Sequence, residues 1–379
     1  MGDWHMSAAT CDVAVLGAGI VGAACARALA MAGLRVAIVE RATIGGGATA
    51  AGMGHVVVMD DSDAQFALTR RSQQLWNELA PQLPDAVEYV QTGTLWIAVD
   101  DEELTAARAK YAYYTSRGIV AEMLDADGVA RIEPNLRPGL AGGLRVPGES
   151  VIYPPCAALW LVNQALERNA TLHRAEAKRF DRTTIELSDG SALIAGAIVH
   201  ATGIGATRFM PSLPIRPRIG HLVITDRYPG FARHQIVELG YIKSAHGADK
   251  ESVAFNLQPR KTGQMLLGSS RQYDVTDGTV QPHMVTRMVA RAFEYMPALA
   301  ALSVIRTWTG FRAATPDSLP LIGPMPGWPG HFVATGHEGL GITTSLGTAE
   351  LIVAHVTGQR SSLDLNAYLP TRFAEVAHG

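Results

Sequence analysis

The rhythm of apolar and polar positions changes twice along the chain. Residues 12–40 open with a continuous apolar run, Val13 to Leu16, followed by an alanine-rich stretch from Ile20 to Ala32 that Gly33 closes. A second apolar run follows, Val36 to Val39. Uninterrupted runs of four predict strands buried on both faces, and the stretch between them predicts a helix. The chain therefore opens as strand, tight turn, helix and parallel strand. A glycine-rich loop comes next, "GGGATAAGMGH", from Gly45 to His55. Beyond it "DDSDAQ" supplies acidic residues to the start of a helix whose Leu68, Leu75, Trp76 and Leu79 share one face, and Pro81 and Pro84 end it. Asp60 and Asp61 are read as caps of that helix rather than as paired catalytic carboxylates.

From about residue 86 the pattern becomes one of short runs bounded by glycine, aspartate or proline: "TGTLWIAVD", "GGLRVPG", "IGHLVITD", "ESVAFNLQ" and "GQMLLGSS". This predicts strands of an antiparallel sheet. They fall in two blocks, 86–150 and 216–310, separated by a helix over about 155–168 and a buried strand in "ALIAGAIVHATG". The interleaving predicts an α/β protein. Its Rossmann-like cofactor domain would be discontinuous (1–85, 151–215 and 311–379), with a β-rich domain inserted as 86–150 and 216–310.

Composition narrows the class. A chain of 379 residues exceeds one simple core. A formal charge of -3 and a pI near 6.5 argue against nucleic acid or an anionic membrane as partner and favour a small metabolite. Cys11, Cys25 and Cys156 are too few and too scattered for a disulfide framework or a zinc cluster, which fits a reducing compartment, and Cys11 and Cys25 read as small buried thiols. The opening residues lack a basic segment followed by an apolar one, and the longest apolar run is short for a membrane span. The expectation is a cytoplasmic protein without transmembrane segment or metal centre.

The first loop carries the chemistry. Gly17, Gly19 and Gly22 follow a strand and open a helix, and Glu40 comes eighteen residues after Gly22. Gly17 would make the turn, Gly19 would admit a pyrophosphate to the helix N-terminus beside Ile20 and Val21, and Gly22 would let helix and strand pack. Glu40, next to Arg41, would accept from ribose hydroxyls and repel a 2'-phosphate, which leaves FAD and NAD. Two later segments favour FAD. "IVHATGIGAT" brings a strand to a glycine turn at Ala201, Thr202 and Gly203. "GHFVATGHEGLGITTSLGTAELIVAHVTG" brings another to Gly339, Leu340 and Gly341, opening a helix with Ile342 and Thr343. A flavin laid across a domain needs several backbone approaches, ending at a helix N-terminus that stabilises the reduced ring.

The first loop with Glu40, the "ATG" segment, "GFRAATPDSLPLIGP" and the closing "ATGHEGLGI" together resemble the FAD-dependent amino-acid oxidoreductases, the superfamily of D-amino-acid oxidase, glycine oxidase, sarcosine oxidase and D-amino-acid dehydrogenase. The likeness spans the chain. Within it, "GMGHVVVMDDSDAQFALTRRS" is most similar to bacterial D-hydroxyproline dehydrogenases and to the flavin subunits of opine oxidases.

The resemblance implies roles. Arg312 stands where relatives carry the arginine of a Gly-x-Arg-Pro motif that binds the substrate carboxylate; Gly310 and Phe311 match, and Ala313 replaces the proline. A planar guanidinium suits that task, since it pairs with a carboxylate through two hydrogen bonds. Sarcosine oxidase holds its flavin through a cysteine where this chain has Gly310, so FAD is expected to be non-covalent. Ala48, Thr49, Gly52, Met53 and Gly54 would pass the ring. His55 is a candidate for covalent linkage, for substrate contact or for a structural hydrogen bond. Asn256 and Tyr241 are candidate substrate walls that are equally readable as packing residues, and His221 is placed near the ring. The implied reaction is oxidation of the Cα–N bond of a D-amino acid or cyclic secondary amino acid, D-hydroxyproline or D-proline first, by hydride transfer to flavin N5. It leaves an imine, and no strong side-chain base is needed if the amine is neutral. Two alternatives stand beside it: an oxygen-using glycine or sarcosine oxidase, and a flavin subunit that needs partner chains. The electron acceptor is open.

Overall fold

The computed structural model describes residues 9–240, 251–273 and 275–373, which form two large sheets and the helices between them. In the first sheet five strands run parallel, in the order His331–Thr335, Ala192–His200, Ala9–Leu16, Val36–Val39 and Thr171–His173. Leu321–Pro324 adds an antiparallel edge. Alternation along the first strand sorts its side chains: Val13 and Val15 pack against the helices Ile20–Met31, Pro154–Leu166 and Gly341–Thr357. Ala14 and Leu16 meet a separate core under the hairpin Ala177–Asp181/Thr184–Leu187, with Phe180 and Phe209. Helices thus cover one face and an antiparallel hairpin the other. This is a Rossmann-like half.

The second sheet has eight strands, in the order Val304–Ala314, Arg216–Arg227, Gln264–Tyr273, Glu251–Pro259, Gln235–Glu238, Thr94–Ala98, Gly142–Val146 and Glu122–Asp125. Every strand predicted from the short runs is present. The expectation of a purely antiparallel sheet needs correction at one seam, where Gln235–Glu238 pairs parallel with Thr94–Ala98. The two strands come from different chain blocks and are not joined by a hairpin, so nothing forces them antiparallel. The helix Pro282–Tyr295 covers one face through Met284, Met288, Ala292 and Tyr295. The other face looks toward the first sheet.

Three further corrections concern boundaries. The helix over Asp63–Leu79 is capped by Ser62, whose hydroxyl accepts from the Gln65 N–H at 3.1 Å; Asp60 instead pairs with the buried Lys110. Serine is one residue closer to the first turn and supplies the acceptor, which frees the acid. The helix predicted over 155–168 spans Pro154–Leu166. Finally, the Val304–Ala314 strand carries Phe311 and Arg312 into the second sheet, beyond the boundary expected at 310/311. Its ladder with Arg216–Arg227 continues without interruption from Trp308 to Ala314. A short antiparallel pair, His55–Val56 with Ser150–Val151, stitches the loop between the sheets to the β-rich block.

Candidate active site

Three glycine turns converge where the sheets face one another. Gly17 has φ +94, and a Cβ there would stand 2.7 Å from the Ala201 carbonyl oxygen, so the first and second turns are pressed together. Gly22 packs against Gly17, where a Cβ would meet the Gly17 oxygen at 1.9 Å. Gly19 caps the Ile20–Met31 helix. The Ile20 N–H donates to the buried Thr49 hydroxyl at 3.0 Å, and Val21 lies beside the third turn, 3.8 Å from where a Gly341 Cβ would be. Glu40 accepts from the Ala18 N–H at 2.7 Å and the Ala42 N–H at 2.8 Å. Its two oxygens keep lone pairs for further donors. In the second turn the Gly203 carbonyl accepts from Thr335 at 2.9 Å, and the buried Thr202 hydroxyl has no partner. Leu340 caps the Gly341–Thr357 helix, and Thr343 Oγ1 donates to the His55 carbonyl at 2.8 Å. Gly339 lies beside Arg312, its absent Cβ 3.9 Å from Nε. Arg41 is not brought to the turns: it lies on the surface, 3.2 Å from Glu176. Ala48 is exposed.

The 48–54 loop runs between the sheets. A Cβ on Gly52 would meet Ile342 Cδ1 at 2.6 Å, and one on Gly54 (φ +107) the Ile152 carbonyl at 2.0 Å. Met53 packs with Leu222, Leu266 and Trp308 of the second sheet. Gly310, in turn, leaves room for Ala51, whose Cβ would lie 2.2 Å from a side chain there. Val56 belongs to the helix-side core, so His55, its neighbour on an extended segment, points the opposite way. Burial pushes the His55 imidazole down to about 4, so it is neutral at ordinary pH, and its buried Nε2 has no partner.

Arg312 sits on the sheet face above this loop. Its guanidinium is folded over Gly220, whose missing Cβ would stand 2.3 Å from Nη1, and Nη1 donates to the Ser270 carbonyl at 3.0 Å. Across the ladder Arg218 is ion-paired with Glu338 in the third turn and lies 4.7 Å from the Tyr273 ring. Asn256 is on the same face, one strand beyond Gly268, and its buried Oδ1 has no partner. Tyr241 lies outside the described residues. His221 is not at the ring side: its Nδ1 bonds Ser270 Oγ at 2.9 Å, and its Nε2 accepts from the Gln281 N–H, which caps the helix on the far face.

A glycine-lined cradle with two helix N-termini, a carboxylate at the end of the second strand and unpaired buried polar atoms fits an extended dinucleotide. The sequence matches the family described as FAD dependent oxidoreductase over residues 12–355. The chain belongs to that family. This FAD-dependent oxidoreductase is 28% identical to glycine oxidase from Geobacillus kaustophilus over 377 residues, 95% of this chain and 97% of the relative. It is 23% identical to one of the subunits of opine oxidase from Rhizobium meliloti, with 96% and 97% covered. The crystal structure of the Geobacillus glycine oxidase superposes with a TM-score of 0.87 at 26% identity, covering 96% and 99% of the two chains. That of L-proline dehydrogenase from P. horikoshii gives 0.87 at 24% identity, covering 97% and 99%, and shares the fold. FAD is the cofactor of this oxidoreductase. Among the described residues no helix is long and apolar enough to cross a membrane.

Proposed function

We propose that this protein is a dehydrogenase of D-amino acids or cyclic secondary amino acids, with D-hydroxyproline or D-proline preferred. The observation that carries the reading is the seat of Arg312, above the 51–54 loop and beside the third glycine turn. In this reading Arg312 takes the α-carboxylate, and Met53, His55 and Asn256 close the space around the α-carbon. Bound FAD supplies the two-electron acceptor. The chain's part is to align the α-carbon, to exclude water and to keep His55 neutral, so that no buried cation opposes the positive charge that develops on the nitrogen of a neutral substrate amine as the hydride leaves. The imine product then hydrolyses in water, or persists when it is cyclic.

Non-covalent FAD is supported by the three cysteines, of which Cys11 and Cys25 are buried away from the loop, and by the lack of room for any side chain at Gly310. Those unbridged thiols also support a cytoplasmic setting. The two-part division of the chain is retained with its last boundary moved to 314/315. The test is anaerobic: the yellow protein is mixed with a panel of D- and L-amino and imino acids while the flavin band is followed. Bleaching by D-proline or its hydroxylated form supports the reading, and bleaching by no amino acid ends it.

Two other readings have their own support. The 28% identity to a glycine oxidase favours an oxygen-using enzyme, which would release one peroxide per substrate consumed in air. The likeness to one chain of an opine oxidase favours a protein that turns over only with partners, in which case co-expression with neighbouring subunits would be needed for bleaching.

A further inference from the structure

The face of the second sheet that meets Met53 carries two rows of side chains. In the first row, moving across strands, Trp308 stands beside Leu222, Gly268 beside Asn256, Asn256 beside Val237 and Val237 beside Trp96. One pleat further along, Ile224 stands beside Leu266, Leu266 beside Gln258, and Gln235 beside Thr94. Gln235 is the next residue outward from the Ile236–Leu257 pair, which brings it against Gln258. The outer half of this face, Leu222, Leu266 and Trp308, is apolar and rests on Met53. The inner half is polar.

That polar half is buried and unsatisfied. Asn256, Gln258 and Gln235 are each 5% exposed or less. Asn256 Oδ1, both Gln258 amide atoms and Gln235 Oε1 have no hydrogen-bond partner. His55 Nε2 is also unpartnered, as are Trp96 Nε1 and one oxygen of Glu149, which lies beside Thr94 with its other oxygen on the Val58 N–H at 2.8 Å. Buried amides without partners cost stability unless something bonds them, and three on one stripe beside a substrate space point to a ligand. The spacing agrees. The Arg312 guanidinium reaches over Gly220 to the Ser270 carbonyl, so Asn256 is about one strand and two residues away and Gln258 one pleat more, roughly 8 Å and 14 Å at about 4.8 Å per strand and 3.3 Å per residue. A small amino acid held by its carboxylate would extend its substituent to Asn256 and Gln258.

We propose that Asn256, Gln258 and Gln235 form a specificity subsite for a neutral hydrogen-bonding substituent of the substrate, a hydroxyl or a carboxamide. This deepens the proposed function and rests on it. Amides both donate and accept, which suits a hydroxyl. A second carboxylate is disfavoured, because the stripe's own residues carry no charge, Arg260, two residues beyond Gln258, is already paired with Glu88, and the buried Glu149 carboxyl lies beside Thr94. Lys110, against the Trp96 ring, is already paired with Asp60. A purely apolar side chain would leave the three amides unpaired. That is how a polar pocket rejects the analogue lacking a hydroxyl.

The test compares matched pairs on the FAD-loaded protein. Anaerobic flavin bleaching gives kcat/KM for 4-hydroxy-D-proline, in both ring-hydroxyl configurations, against D-proline. Shifts of the flavin band give Kd for tetrahydrofuran-2-carboxylate against its 4-hydroxy derivative, which cannot be oxidised at a Cα–N bond. The wild-type protein is expected to favour one hydroxylated member about 10- to 100-fold in both assays, and Gln258→Met and Asn256→Leu should bring the ratios toward one. A wild-type ratio near or below one overturns the subsite even if neither variant folds, as do variants that keep the full preference. Bleaching by D-proline without hydroxyl preference defeats this inference alone, whereas bleaching by no amino acid defeats the parent reading with it.

Discussion

Replacing Gly220 by alanine would displace the Arg312 guanidinium without deleting its charge. A Cβ on Gly220 would stand 2.3 Å from Nη1, 2.5 Å from Nη2 and 2.6 Å from Cζ, where ordinary contact begins at 3.4 Å. The group must therefore withdraw by about 1 Å, the difference between 3.4 and 2.3. Gly220 does not have a left-handed backbone, so alanine adds no strain there, and what must yield is the end of a flexible side chain. The stability cost should stay within about 1 kcal/mol. Misplacing an aligning group by about 1 Å costs catalysis about 100-fold. Gly220→Ala is thus expected to hold FAD and melt within a few degrees of wild type, while kcat/KM for every bleaching substrate falls about 100-fold in anaerobic stopped-flow. Rates within threefold of wild type would refute the assignment of Arg312 as the aligning group. Loss of the flavin would instead mean that Gly220 serves the cofactor.

Other positions give separate checks. Glu149 titrates near 4.5 when unfolded and is pushed up to about 7 by burial in the folded chain, so the stability tied to its protonated form is full below pH 4.5 and lost as pH rises through 7. Glu149→Gln should leave thermal stability unchanged near pH 4 and raise it above pH 7 by about 3 kcal/mol; parallel pH profiles would contradict this. Gly310→Ala forces a methyl into Ala51 and is expected to cost about 1–3 kcal/mol and to lower FAD retention, read from the melting temperature and the ratio of visible to ultraviolet absorbance. Glu40→Ala removes the acceptor of the Ala18 and Ala42 N–H groups and should weaken FAD binding about 10- to 100-fold. Fluorescence titration of the apoprotein measures this, and an unchanged Kd would exclude Glu40 from the ribose site.

Much of the cofactor half was legible because local sequence dictates it. The order of apolar run, three glycines, alanine-rich helix and terminal acid leaves few other arrangements, and the Gly17–Ala201 contact follows from the same glycines. The second sheet was legible strand by strand but not in its pairing, since alternation says which face a residue occupies and not which strand lies beside it. Hence Arg312 was assigned to the wrong block, and His221, one residue from Leu222, to the wrong face. Asn256 was singled out as a candidate but Gln258, two residues on in "FNLQP", was not, although period-two spacing puts both on one face. Gln235 was beyond reach, because it meets the stripe only through long-range pairing, and so was Glu149, which reaches Thr94 across more than fifty residues of chain. The cap at Ser62 was missed in favour of nearby acids, of which Asp60 pairs with a lysine distant in sequence. Arg41 follows Glu40 in sequence, yet Glu176 draws it outward.

The central claim is that one guanidinium on the second sheet, that of Arg312, grips the substrate's carboxylate. It is tested most directly by removing each partner in turn: D-proline against D-prolinamide, on the wild-type protein and on Arg312→Leu, with flavin bleaching followed under nitrogen. The expected result is that the acid outruns the amide by about 100-fold or more on the wild type, and that the two differ little on the variant while it keeps its FAD. Equal rates for acid and amide on the wild type, or an undiminished preference for the acid on Arg312→Leu, would contradict it.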